Sequence, residues 1–89
     1  MALFRRVADV QCTPVGDRLV LFHRGTGASI VLNPSAALLW GSLENPSTVQ
    51  DLAGHLCRRY EGLSEERATD DVHRCLEQFV SQALVTSDG

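Results

Sequence analysis

The chain has no lysine; all eight of its basic residues are arginine, and eleven acidic residues leave a formal net charge of -3. A field that gathers nucleic acid or an anionic membrane surface is therefore not expected. Surface recognition falls to a few planar, forked guanidinium groups. Long apolar runs are also missing. None approaches the ~20 residues of a spanning helix, and Met1 to Arg6 turns polar too soon for a signal peptide. This reading expects a cytoplasmic protein without membrane contact. The cysteines, Cys12, Cys57 and Cys75, are odd in number and widely spaced, unlike a disulfide framework, so buried reduced thiols are expected. With 89 residues there is room for one domain, 1–89 with a core of about 7–85, and little for a buried catalytic cleft.

Reactive groups do not converge. His55 and Cys57, like His73 and Cys75, are two apart, and on a helix such residues point about 200° from each other. Neither pair holds one metal on a regular helix, so no metal is expected. Asp70 and Asp71 splay by about 100° and read as a solvated face rather than an acid/base dyad. Gly25-Thr26-Gly27 has no following lysine or helix start, so it is a turn and not a phosphate loop. No enzyme activity and no cofactor are expected.

What is there is an ordered change of period. Ala8, Val10 and Cys12 alternate with Asp9, Gln11 and Thr13, the pattern of a half-buried strand with its first set inward. Pro14 to Asp17 is turn chemistry. Leu19 to Phe22 are contiguous and apolar, as in a central strand covered on each side. Arg24 to Gly27 forms a second turn, and Ala28 to Leu32 a third strand. Short turns joining three strands imply an antiparallel meander. Asn33 then caps a helix that Pro34 opens. Ser47 with Gln50 reads as a capping box for a second helix, and Ser64 caps a third, with Glu65 and Glu66 near its positive end. Residues 1–6 read as a loose arm and Val85 to Gly89 as a tail. The expected fold class is α+β: a three-stranded antiparallel sheet followed by three helices, winged-helix-like.

Duplex DNA binding is the rival function for such a fold. The third helix, which would enter the groove, carries Glu65, Glu66, Asp70, Asp71 and Glu77 against Arg67 and Arg74, the wrong balance for phosphate. The third strand is more informative. As the last strand of a meander it has one unpaired edge, and Ala28-Ser29-Ile30-Val31-Leu32 carries no charge, proline or bulge signal to protect it. Such an edge can accept a guest strand, with main-chain bonds giving affinity and neighbouring pockets reading side chains. On the third helix, Leu76, Val80 and Ala83 can face the core. Val72, Cys75 and Phe79 are then left to line a slot beside Ile30 and Leu32.

The run Leu32-Asn33-Pro34-Ser35-Ala36-Ala37-Leu38-Leu39-Trp40 resembles the strand-to-helix junction of the PqqD-like family. So do Thr48 to Leu52 and the pattern from Asp71-Val72 to Phe79. The resemblance runs from about Val7 to Val85. It implies a recognition element for ribosomally made, post-translationally modified peptides, which binds the leader of a precursor as an added strand between strand three and helix three. Carried onto this sequence, the site is Ala28, Ser29, Ile30, Val31 and Leu32 with Asp71, Val72, Arg74, Cys75, Gln78 and Phe79. The stand-alone form and the Asn-Pro helix start look most like the lasso-peptide branch. There the leader often carries a tyrosine with a proline three residues later. The implied partners are a separate leader-removing cysteine protease and a cyclase. Pro34 departs from members serving the pyrroloquinoline quinone pathway.

Overall fold

A computed structural model describes residues 2–88; Met1 and Gly89, the ends of the expected 1–89 span, lie outside the described residues. The elements are β1 (Leu3–Arg6), β2 (Val10–Val15), β3 (Arg18–His23), β4 (Ser29–Leu32), α1 (Pro34–Ser42), α2 (Val49–Arg59), α3 (Glu65–Ser81) and β5 (Val85–Asp88). The order β2-β3-β4 makes a three-stranded antiparallel sheet ahead of three helices, the expected α+β plan.

Turn chemistry sets the register of this sheet. Gly16, at φ 62, occupies the first position of a two-residue hairpin turn, where a positive φ favours glycine. Pro14 lies inside β2 rather than in the turn. At the next turn, His23 accepts from the Gly27 N–H and donates to the Ala28 carbonyl, both at 2.8 Å. With Gly27 at φ 77, two residues oppose one, which is a glycine bulge. His23 is buried, and its Nδ1 accepts from the backbone N–H groups of Gly25 and Thr26 at 3.0 and 3.2 Å. The imidazole thus ties down the turn that delivers β4.

α1 packs on β3 and β4. It covers Leu21 and Leu32, which join Leu39, Trp40, Leu43, Leu52, Leu56 and Leu84 in the core. Trp40 meets Phe79 of α3 edge-on, with ring centroids 5.6 Å apart, a favoured aromatic geometry. Two expectations fail here. Cys12 is exposed because the helical layer does not reach across to β2. The central strand is covered on one face only: Phe22 is 41 % exposed.

The caps follow the sequence with one shift. Asn33 Oδ1 accepts from Ala36 N at 2.8 Å, and Ser64 Oγ from Arg67 N at 3.2 Å. α2 is capped by Thr48 with Asp51, a reciprocal box at 3.1 and 3.2 Å, and not by Ser47 with Gln50. Ser47 is buried, and its backbone pairs with Phe4 through bonds of 2.8 and 3.0 Å.

That pairing belongs to a second, two-stranded sheet. The expected arm and tail are strands: β1 and β5 pair antiparallel from Leu3–Asp88 to Arg6–Val85. Arg6 stands 4.5 Å over the Trp40 ring and donates to the Trp40 carbonyl through Nε at 3.0 Å and through Nη2. A cation–π contact and a hydrogen bond at the C-terminal end of α1 therefore fix β1. The chain reaches β5 by a Schellman cap on α3. Leu84 N bonds Phe79 O at 2.9 Å and Ala83 N bonds Val80 O at 3.0 Å, with Ala83 in the left-handed region at φ 59. Glycine is the usual residue there. Ala83→Gly should relieve the Cβ strain and stabilise the fold by about 0.5–1 kcal/mol after glycine's own entropy cost. Urea unfolding checks this, and an unchanged midpoint would contradict it.

Candidate functional site

In an antiparallel ladder, bonded and non-bonded pairs alternate, and a residue's N–H and C=O point to the same edge. The register Phe22–Ser29, Leu21–Ile30, Val20–Val31 and Leu19–Leu32, anchored by the His23–Ala28 bond, settles which groups point where. Ile30 and Leu32 bond to β3. Ser29 and Val31 turn their N–H and C=O groups away from the sheet. Among the described residues, no backbone bond from another element reaches them. Ala28 is not part of this free edge: its carbonyl bonds His23, and its N–H donates to Thr26 Oγ1 at 3.2 Å.

The opposite edge of the sheet is different. By the same alternation, Gln11, Thr13 and Val15 bond to β3, and Val10, Cys12 and Pro14 face outward. Pro14 has no N–H to offer, so that edge is blunted. The open edge is β4.

A recess of about 290 Å³ lies where β4 runs into α1. Asn33, Ser35, Ala36 and Leu39 line it from the α1 side, Leu56 from α2, and Asp71, Arg74, Cys75 and Gln78 from α3. A shallower hollow of about 630 Å³ shares Asn33, Ser35, Leu56 and Asp71 with it and extends past Pro34 to Tyr60, Leu63 and Arg67. At the rim, Arg74 Nη2 bonds Asp71 Oδ1 at 2.8 Å; the side chains are 75 % and 45 % exposed. Such a pair contributes little to stability, so the guanidinium is free to change partners. Burial pushes the Cys75 thiol up to about 11, leaving it neutral and unreactive at ordinary pH.

Of the residues singled out from the sequence, Asp71, Arg74, Cys75 and Gln78 meet in the recess. Ser29 and Val31 carry the open backbone groups, with Ile30 half-buried between them. Leu32, Val72 and Phe79 sit elsewhere: they are 2 %, 0 % and 0 % exposed and belong to the core. The expected split of the α3 stripe holds for Leu76, in the core, and for Cys75, in the recess, and fails for Val72, Phe79, Val80 and Ala83. Val72, Leu76 and Phe79 face inward, and Val80 is 44 % exposed. Asn33, Ser35, Ala36, Leu39 and Leu56 were missed. Asn33 carried a signal only as a helix cap, and a cap is also where backbone turns toward a cleft.

The His and Cys residues serve other ends. His55 Nδ1 lies 2.7 Å from Ser42 Oγ, and Cys57 Sγ is 3.7 Å from the Leu63 carbonyl. Among the described residues, no three His, Cys, Asp or Glu side chains are placed to hold a metal. No described helix is long and apolar enough to cross a membrane.

The fold and site define a small α+β module whose three-stranded sheet has an open edge, β4, running into a recess among the helices. Residues 18–85 match the family model described as coenzyme PQQ synthesis protein D, PqqD, and the chain belongs to that family. Two solved structures share the fold. One is TbiB1 in complex with the TbiA(beta) leader peptide, at TM-score 0.81, 20 % identity, and 91 % and 93 % coverage of this and that chain. The other is a lasso peptide synthetase B1 complexed with the leader peptide, at TM-score 0.80, 22 % identity, and 93 % and 96 % coverage. No curated protein sequence matches the chain.

The thiols offer a test of this geometry. Exposed Cys12 should react with iodoacetamide first at pH 8. Cys75 should lag, its rate rising with pH as far as the fold persists, because a raised pKa withholds thiolate until about 11. Peptide mapping over time would read both sites; equal rates would contradict the buried placement of Cys75.

Proposed function

We propose that this chain binds the leader segment of a ribosomally made precursor peptide as an added antiparallel strand on β4. It then presents the peptide to a separate leader-removing cysteine protease, with a cyclase following, in lasso-peptide assembly. The observation that carries this reading is the outward backbone of Ser29 and Val31 on a strand whose C-terminal end, at Asn33, meets an open recess among the helices. The two similar structures, each holding a leader peptide, support it.

A guest antiparallel to β4 starts at the Asn33 end and leaves at the Ser29 end. Its residues opposite Ser29 and Val31 exchange backbone bonds and fix register. Side chains on the Ile30 face point toward the groove. The recess beyond Asn33 takes a side chain from the upstream part of the guest. Arg74, Asp71 and Gln78 act as rim contacts that tune specificity and on-rate. Val72, Phe79 and Leu32 support the groove from beneath, and Ala28 holds the bulge. The module performs no chemistry and uses no metal or cofactor. It works as one cytoplasmic domain, raising the local concentration of a cleavage site. Ordering a disordered leader costs about 2–5 kcal/mol, compatible with a net affinity of about −8 to −12 kcal/mol. Duplex binding gains no support, since Glu66, Asp70 and Glu77 lie on the exposed side of α3.

Proline substitution tests the edge. Val31→Pro removes an outward N–H and leaves the β3 bonds intact, so the fold should survive while leader affinity falls about tenfold or more. Ile30→Pro removes a bond to β3 and should unfold the hairpin. The readouts are circular dichroism and anisotropy of a labelled synthetic leader, taken from the precursor encoded beside this chain. Wild-type affinity in Val31→Pro would sink the assignment. Phe79→Ala, by contrast, should cost about 3–5 kcal/mol of fold stability, because the ring is 0 % exposed.

A further inference from the structure

A neutral imidazole has one bare nitrogen that accepts and one N–H that donates; a charged one has two donors and no acceptor. His23 uses its bare nitrogen twice. Nδ1 accepts from Gly25 N at 3.0 Å and from Thr26 N at 3.2 Å, which assigns the proton of the neutral ring to Nε2. The ring is 7 % exposed and sits closely over the turn: a Cβ added at Gly25 would lie 3.0 Å from its Cε1. Neither other histidine is held this way. His73 is exposed on α3, and His55 Nδ1 meets the Ser42 hydroxyl, which can accept as well as donate. The surroundings offer a charged His23 ring no partner. β2, β4 and α1 pack on β3 and carry no acidic or basic residue; Cys12 is their one titratable group. Asp9 and Arg24 flank the turn, joined backbone to backbone at 2.9 Å. Among the described residues, no carboxylate pairs with the ring. A proton on Nδ1 would leave a buried, unpaired charge facing two N–H groups. Either the ring leaves its seat or the turn opens.

We propose that His23 positions the open edge in its neutral form only, so that a proton on Nδ1 and a guest strand on β4 oppose each other. The guest half of this rests on the reading given under Proposed function. The path from ring to edge is short. The His23 backbone bonds Gly27 and Ala28, and Ser29, with the first open groups, follows directly. The two N–H groups that Nδ1 accepts hold the turn in the shape that closes on the Gly27 bulge. Without that acceptor the bulge loses its local support, and with it the register that turns Ser29 and Val31 outward. Imidazole changes charge between about pH 5 and 8, a range in which carboxylates and guanidinium groups as a rule keep theirs. Falling pH therefore acts on the edge through this ring. By linkage, a bound guest holds the proton off Nδ1 by the same factor as the proton weakens the guest.

The test uses the full chain and a labelled synthetic leader from the precursor encoded beside it. Wild-type leader affinity should fall at least about fivefold between about pH 8 and about pH 5.5. His23→Asn keeps an acceptor in the same place, since its Oδ1 can take the N–H two residues on, and carries nothing to protonate. Its affinity should lie within about threefold of wild type at the higher pH and hold at the lower. The ratio of the two proteins at each pH cancels the titration of the leader and of the rest of the chain. His23→Gln, whose amide sits one bond further out, should bind weakly at both. Gly25→Ala displaces the ring, so it should weaken binding at least about threefold in the wild type and have no effect in His23→Asn. Should His23→Asn fail to fold, calorimetry of the wild type near pH 6 in two buffers of different ionisation enthalpy decides: leader binding should release protons. An affinity ratio that stays level with pH would overturn the proposal, as would leader binding without proton release. Failure of the wild-type chain to bind leader even at the higher pH would instead strike the peptide-binding reading. The amide resonances of Gly25 and Thr26, followed against pH without leader, would then still decide the role of the ring: they should move together with the His23 ring signals, and amides indifferent to that titration would overturn it.

Discussion

A strand residue cannot split its backbone groups between two neighbours: its N–H and C=O point together to one edge, and the next residue's to the other. β4 lies at the rim of its sheet, so half of its residues have nowhere inside the protein to bond. Which half is decided upstream, at the Gly27 bulge and the His23 ring that holds the turn. A one-residue slip would turn Ile30 outward in place of Ser29 and Val31. It would also move the side chains of Ile30 and Leu32 off the core face. Packing and the open edge are thus fixed by the same choice of register. Leu32, at 2 % exposed, anchors the strand that the edge requires.

Much of this was legible because it is local. The glycine turns, Asn33 before Pro34, and Ser64 before two glutamates each announce themselves within a few residues. The position of β4 at the edge followed from the order of a meander. What was not legible depends on distant partners. Leu3–Arg6 and Val85–Asp88 are four residues each, too short and mixed to show a period. They become strands because they find each other, and because Arg6 is held by Trp40. Ser47 and Thr48 both look like caps in sequence. The buried pairing of Ser47 with Phe4 leaves the role to Thr48. The stripe on α3 gave the right residues and the wrong rotation. Period alone marks an apolar arc, and only the Trp40–Phe79 contact shows which part of it faces inward. Cys12 was misjudged for a related reason: alternation says which face a side chain takes, not whether a helix reaches that far.

The two edges of the sheet show how the chain manages a hazard. Exposed edges invite unwanted pairing. β2 answers with Pro14, placed at an outward position where its missing N–H costs no internal bond. β4 carries no such guard on Ser29 or Val31. Proline reads as a turn residue in sequence, and only its register within β2 reveals it as an edge device. The sequence therefore protects one edge and leaves the other open, a difference that general strand propensity does not explain and that a binding role for β4 does.

Magnitudes divide the labour at that edge. Ser29 and Val31 offer four backbone groups, and at a net 0.5–1.5 kcal/mol each they return roughly 2–6 kcal/mol. Ordering the guest costs about 2–5 kcal/mol. The backbone ladder alone comes close to breaking even, whatever the guest's sequence. Useful affinity has to come from side chains, in the recess by Asp71, Arg74 and Gln78 on one face and beside Val31 and Phe22 on the other. The backbone then sets register without sequence preference, and the side chains on its two faces supply discrimination.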